Sequence, residues 1–156
     1  MATERINFKV CYRHECEPRR YVLMSIKPIY CNRIIAGDKV FEYRKSIFQD
    51  FPKRIYIYSS YPQSRIIASF EPQYIFVSTP DLVWAITSLF GGITVESFAD
   101  YFSGKDAAFA IRIGYVREFT RPVSLSDLDP KIKAPQNFCY LNEQQVSQIE
   151  KLSKWF

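Results

Sequence analysis

Residues 37–45 read Gly-Asp-Lys-Val-Phe-Glu-Tyr-Arg-Lys. Three charged side chains, Lys39, Glu42 and Arg44, interrupt an apolar run directly after a glycine suited to ending a helix. Side chains of an extended strand alternate between its two faces. Glu42 and Arg44 then share a face with Val40. Phe41 and Tyr43 point the other way, as does Lys39 unless the strand entry re-aims it. A carboxylate and a guanidinium placed this way are close enough to pair, which would hold the planar donor fork of Arg44 toward a phosphate or a base edge. The plainer alternative is a solvated strand with a surface ion pair, which contributes little.

Working outward, residues 21–26 form a compact apolar run that reads as a buried strand. Pro28 suits the first turn of a helix and Gly37 its end, with Tyr30, Cys31 and Ile34 turned inward. Downstream, residues 54–59 alternate Ile55 and Ile57 with Tyr56 and Tyr58, and Tyr61-Pro62-Gln63 makes a turn. Residues 65–77 read as a long strand bent or broken near Pro72. Thr79-Pro80-Asp81 opens a helix whose Leu82, Ile86 and Leu89 share a face, and Gly91-Gly92 stops it. Thr94 caps a second helix with Val95, Phe98, Ala99 and Phe102 at helical spacing, ended by Gly104. Residues 107–116 read as a central strand and 117–125 as a further extended segment. Asn142 caps a last helix with Val146, Ile149, Leu152 and Phe156 on one side. Strands and helices mix without a strict βαβ rhythm, so the pattern predicts an α+β fold around a small barrel. Residues 1–20 are expected to be a charged leader and residues 21–156 a single domain.

The composition agrees with a globular chain. Of 156 residues, 47% are hydrophobic and 24% charged. Aromatics reach 17%, with 11 Tyr and 13 Phe, residue types that favour strands and also offer flat faces for stacking bases. The net charge of +5 is compatible with a nucleic-acid partner. No apolar segment is long enough to span a membrane, and the first residues lack a signal-peptide core, so the cytoplasm is the expected location. The cysteines stand at 11, 16, 31 and 139, and in a reducing compartment they are not expected to pair. Cys11, His14 and Cys16 resemble half a metal site, but the second pair of ligands is missing, so neither a metal nor a cofactor is expected. His14 is the only histidine, which leaves no plausible Ser-His-Asp triad.

Taken in order, Ser25-Ile26-Lys27-Pro28, the set Gly37, Lys39, Glu42 and Arg44, then Tyr58-Ser59-Ser60 and Ile66-Ile67-Ala68-Ser69-Phe70-Glu71 resemble the activating signal cointegrator homology (ASCH) domain of the PUA-like superfamily. The likeness spans residues 21–125, and residues 133–141 resemble the tail of a microbial and phage branch. It implies a mixed β-pseudobarrel of five or six strands with flanking helices. It also implies a cleft beside the barrel that takes nucleic acid or a nucleoside. By resemblance that cleft holds Lys27, Lys39, Glu42 and Arg44, with Ser59 and Ser60 at its far side. Lys45, Tyr61, Lys133 and Gln136 complete the expected nucleic-acid-binding set. Tyr43, Tyr58 or Tyr61 would stack a base. Residues 133–141 either fold over the cleft as a lid or simply lead into the last helix.

One branch of the family resembles a hydrolase of acetylated cytidine that uses a lysine, a threonine and a glutamate. Here Lys39 matches the lysine, Glu42 replaces the threonine, and the glutamate falls around Gly91-Gly92, with Glu96 the nearest carboxylate. Another branch is described as a metal-dependent ribonuclease. Three functions follow as expectations. The first is a module binding RNA, single-stranded nucleic acid or a modified nucleoside. The second is an enzyme on nucleosides or RNA, with Lys39 and Glu42 catalytic. The third is a phage or microbial inhibitor of a host nucleic-acid machine.

Overall fold

The computed structural model describes residues 8–13 and 20–154. In chain order it contains β1 (Lys9–Tyr12), β2 (Arg20–Ile26), α1 (Pro28–Ala36), β3 (Phe41–Arg44), β4 (Pro52–Ser59) and β5 (Arg65–Ser78). These are followed by α2 (Pro80–Thr87), α3 (Val95–Tyr101), β6 (Ala108–Val123), β7 (Phe138–Leu141) and α4 (Glu143–Ser153). The strands form one seven-stranded sheet in the order β3-β6-β5-β4-β2-β7, with β1 paired to β5 off that path. All pairings are antiparallel except β2 with β4. The sheet is a mixed, curled pseudobarrel and not a closed barrel.

Three strand expectations change. The two segments 107–116 and 117–125 are one strand, β6, because Val116, Arg117 and Glu118 pair in unbroken register with Phe70, Ser69 and Ala68; Gly114 lets it pass close to its neighbour, since an added Cβ there would run into the Glu71 carbonyl oxygen. The bend expected near Pro72 is present as register slips between Phe70 and Tyr74, so β5 curves without breaking. Within the region read as a leader, Lys9–Tyr12 is a strand on β5, and Phe138–Leu141 adds another on β2. These two raise the count above the expected five or six.

Alternation gives β2 and β4 two buried faces. Val22, Met24, Ile55 and Ile57 pack with Cys31 and Ile34 of α1 on one side. Leu23, Tyr56 and Tyr58 pack with Val146 and Ile149 of α4 on the other. A third cluster joins Phe41 and Tyr43 of β3 to Val83, Phe98 and Phe102. Local chemistry sets the helix ends. Pro28 opens α1 and Gly37 closes it at φ +85°. Thr79 and Thr94 cap α2 and α3, and Asn142 forms a reciprocal capping box with Gln145 on α4. The inward faces differ from the expected ones. On α2, Val83 and Thr87 meet the sheet while Ile86 and Leu89 are 61% and 90% exposed: the Thr87 hydroxyl is satisfied by the Tyr43 hydroxyl and the Val83 carbonyl, which lets the Val83–Thr87 face turn inward, and the 3-10 turn Ser88–Phe90 takes Leu89 out of the helical phase. On α3 only Phe98 and the following Phe102 are buried, and Val95 and Ala99 face out. Phe156 lies outside the described residues.

Candidate functional site

Strand β3 begins at Phe41, so Lys39 and Val40 precede it and escape its alternation. The Val40 N–H donates to the Phe90 carbonyl at 2.8 Å, and the Val40 carbonyl accepts from the Ile113 N–H at 2.8 Å. This entry turns Lys39 to the side of Glu42, where its Nζ lies 3.8 Å from Glu42 Oε2. The other carboxylate oxygen, Oε1, accepts from Arg44 Nη2 at 2.8 Å. Lys39, Glu42 and Arg44 are only 3%, 6% and 7% exposed. A solvated surface ion pair is therefore ruled out. The floor of the site is a buried triad, in which one carboxylate serves two cations.

Lys39 is boxed in. Its Nζ donates to the Gly91 carbonyl at 2.6 Å and lies 5.3 Å and 4.7 Å from the ring centres of Tyr30 and Tyr43. Burial pulls its pKa below the ordinary lysine value, Glu42 opposes that, and Arg44 and Arg33 reinforce it. Gly91 thus offers a backbone carbonyl where the resembled hydrolase branch would carry a glutamate. Glu96 is exposed and does not line the cleft.

Arg44 is committed to the protein itself. Nη2 also donates to the Ser25 carbonyl at 2.7 Å, and Nη1 donates to Asn137 Oδ1 at 2.9 Å. The donor fork expected to face a ligand is therefore engaged by β2, β3 and the segment before β7. Buried and without a hydrogen-bond partner among the described residues are Arg44 Nε and Glu42 Oε2.

Above this floor opens a cleft of about 1100 Å³. Of the expected residues, Lys27, Lys39, Glu42, Arg44, Lys45, Ser60, Tyr61 and Gln136 line it. Two do not. Ser59 ends β4 with its side chain turned inward and has no exposure, while Lys133 is exposed just before the lining stretch of residues 134–137. The three tyrosines differ in kind. Tyr43 is buried with its hydroxyl 2.8 Å from Thr87 Oγ1, Tyr58 is buried at the cleft wall, and Tyr61 stands 86% exposed at the rim.

The sequence reading missed Tyr30, Ser25, Ser46 and Tyr101, which also line the cleft. Tyr101 lies beneath Lys45, whose Nζ is 4.4 Å from its ring centre, and Asp100 adds an acidic group to the wall. The only available signal was the end of α3 just before Gly104. Residues 133–141 lie between the two readings, part cleft wall and part strand. Residues 134–137 border the cleft, tied by Ser25 Oγ to the Pro135 carbonyl and by Asn137 Nδ2 to Ser46 Oγ at 3.1 Å. Residues 138–141 form β7, with Phe138 against Phe48.

No family model matches the chain. Solved structures do. The crystal structure of ASCH from Zymomonas mobilis superposes with a TM-score of 0.80 at 21% identity, covering 86% of this chain and 96% of that one. A Tyr→Phe variant of the same protein reaches 0.81 over 87% of this chain and all of that one, also at 21% identity. The fold is that of an ASCH domain. A curated protein of Zymomonas mobilis named ASCH domain-containing ribonuclease is 22% identical over 139 residues, which is 86% of this chain and 93% of that protein. The Gly-Lys-Glu-Arg motif of the ASCH resemblance accordingly lies at the junction of α1 and β3, beside the cleft. Among the described residues, no group of three or more His, Cys, Asp or Glu could hold a metal ion, and no helix is long and apolar enough to cross a membrane. His14 and Cys16 lie outside the described residues.

Proposed function

We propose that the chain binds single-stranded RNA in this cleft, stacking a base at its rim and carrying neighbouring phosphates on Lys27 and Lys45. The observation that carries the reading is an exposed aromatic ring beside exposed cations around one opening: Tyr61, Lys27 and Lys45 all line it. Every base has a π-face, and stacking on an aromatic side chain is worth about 1–3 kcal/mol per base. Hydroxyls of Ser25, Ser60 and Ser64 line the same space and suit sugar and phosphate contacts. The ribonuclease name of the curated relative favours RNA over other nucleic acids. Binding of labelled RNA and DNA oligonucleotides at several salt concentrations tests this. Two phosphate contacts predict a log–log salt slope of about −1.4 on a single strand. Undetectable or salt-independent binding would sink the proposal.

RNA cleavage in the same cleft is the second reading. It is favoured by the relative's name and by Lys39, whose burial enlarges the share of neutral amine able to take a proton from a ribose hydroxyl. In this reading Glu42, 3.8 Å away, would carry that proton onward. Gel assays of labelled RNA, with and without divalent metal, decide it. Cleavage by folded Lys39→Ala protein at the wild-type rate would remove Lys39 from the chemistry.

A further inference from the structure

Arg33, on the last turn of α1, does not line the cleft, yet it holds the residue at the floor from two directions. Its backbone carbonyl accepts from the Lys39 N–H at 3.1 Å. Its guanidinium reaches over the start of the chain after the 3-10 turn, where Nη1 donates to the Gly92 carbonyl at 2.7 Å. The adjoining Gly91 carbonyl is the one that accepts from Lys39 Nζ at 2.6 Å.

The two glycines make this wrap possible. Gly92 sits at φ +63°, and a Cβ there would lie 2.5 Å from Lys39 Cβ and 2.9 Å from Lys39 Cα. A Cβ on Gly91 would strike the Tyr43 hydroxyl. The loop thus lies directly on the lysine stem and ends on its ammonium, with Arg33 clamping it from outside. We propose that Arg33 is a positioning residue: through the Gly91–Gly92 carbonyls it fixes where the Lys39 ammonium points and keeps water away from it. The inference rests on the reading of Lys39 as a working group of the cleft.

The groups facing Lys39 are Glu42, Arg44 and Tyr43 from β3, Arg33 and Tyr30 from α1, and the loop's backbone carbonyl. Removing Arg33 deletes one cation and lets the loop lift. Loss of the cation and entry of water, which replaces the Gly91 carbonyl as acceptor, ease protonation of Lys39.

The experiment is an NMR titration of isotope-labelled lysine in the whole protein, with the Lys39 signal assigned through Lys39→Arg. In Arg33→Ala the Lys39 midpoint should move up toward the ordinary lysine value, and Arg33→Lys, which restores a donor to the Gly92 carbonyl, should return it most of the way. Gly92→Ala, which forces the loop off the lysine stem, should reproduce the upward move. If Arg33→Ala unfolds the chain, Arg33→Met, which keeps the aliphatic stem but neither donor nor charge, provides the same readout. An unchanged midpoint in folded protein, with only a lower Tm, would overturn the proposal, because a purely structural arginine moves stability and not the titration. RNA cleavage measured on the same samples separates the two ideas. A shifted midpoint in a protein whose wild type cleaves no RNA leaves Arg33 as the positioner of Lys39 and refutes only the catalytic reading of Lys39.

Discussion

Arg44→Ala removes a guanidinium that joins three segments of chain. Its bonds to the Ser25 carbonyl at 2.7 Å and to Asn137 Oδ1 at 2.9 Å disappear, and so does the pair with Glu42 at 2.8 Å. Glu42, 6% exposed, is then left with Lys39 Nζ at 3.8 Å as its only countercharge among the described residues. Removing one member of a buried ion pair costs about 3–5 kcal/mol, because the remaining charge stays desolvated. Lys39 softens that penalty, while the two orphaned acceptors add to it, which places the expected loss at about 4 kcal/mol. Against a typical total of about 5–15 kcal/mol, the variant should fold but be severely weakened. Urea unfolding followed by circular dichroism gives the value, with the m-value expected to hold. Arg44→Lys should recover part of the loss, since an ammonium replaces the charge but not the fork. Removing all three charges together, as Lys39→Met, Glu42→Gln and Arg44→Met, should cost less than Arg44→Ala alone, because no buried charge is stranded. A loss below about 1 kcal/mol for Arg44→Ala, the size of a surface pair, would refute its role as a buried joint.

Tyr61→Ala should weaken RNA binding by about 1–3 kcal/mol while leaving Tm unchanged, and equal affinity of the two proteins would remove Tyr61 as a stacking platform. Burial pushes the Glu150 carboxyl up, yet the Tyr56 hydroxyl and the Arg117 guanidinium outweigh it and hold it below its ordinary value of 4.5. Because the folded value is the lower one, this carboxylate adds stability above pH 4.5 that fades as pH falls through the folded value. Glu150→Gln should therefore lower Tm near neutrality and converge on wild type in acid, and a constant offset across pH would contradict the sign. Burial raises the Cys31 thiol to about 11, so alkylation of native protein at mildly alkaline pH should trail that of urea-unfolded protein by at least about tenfold. Mass-spectrometric rates within threefold of one another would show the thiol to be accessible.

Features set by neighbouring residues were legible in the chain, and those set by distant partners were not. Pro28 and Gly37 bound α1, and Thr79, Thr94 and Asn142 cap their helices, because each device acts within a few residues. The face that α2 presents to the sheet was misjudged, since the polar Thr87 turns inward only because the distant Tyr43 hydroxyl meets it. Lys39 turned toward Glu42 because Val40 is held by Phe90 and Ile113, residues far along the chain. The Glu42–Arg44 contact followed from strand alternation. Its burial, and the capture of Arg44 by Asn137, depend on a pairing across 93 positions that no local pattern encodes.

That distant capture bears on when the protein becomes competent during synthesis. Ser25 Oγ meets the Pro135 carbonyl across 110 positions, and β7 then zips onto β2. A nascent chain that has emerged only as far as β6 has its charged motif and the Ser25 carbonyl in place but lacks the Asn137 amide that holds the other end of the Arg44 fork. High contact order of this kind slows closure. The cleft is thus completed among the last events of assembly, and a prematurely terminated product would carry the whole motif yet present an unfinished binding surface.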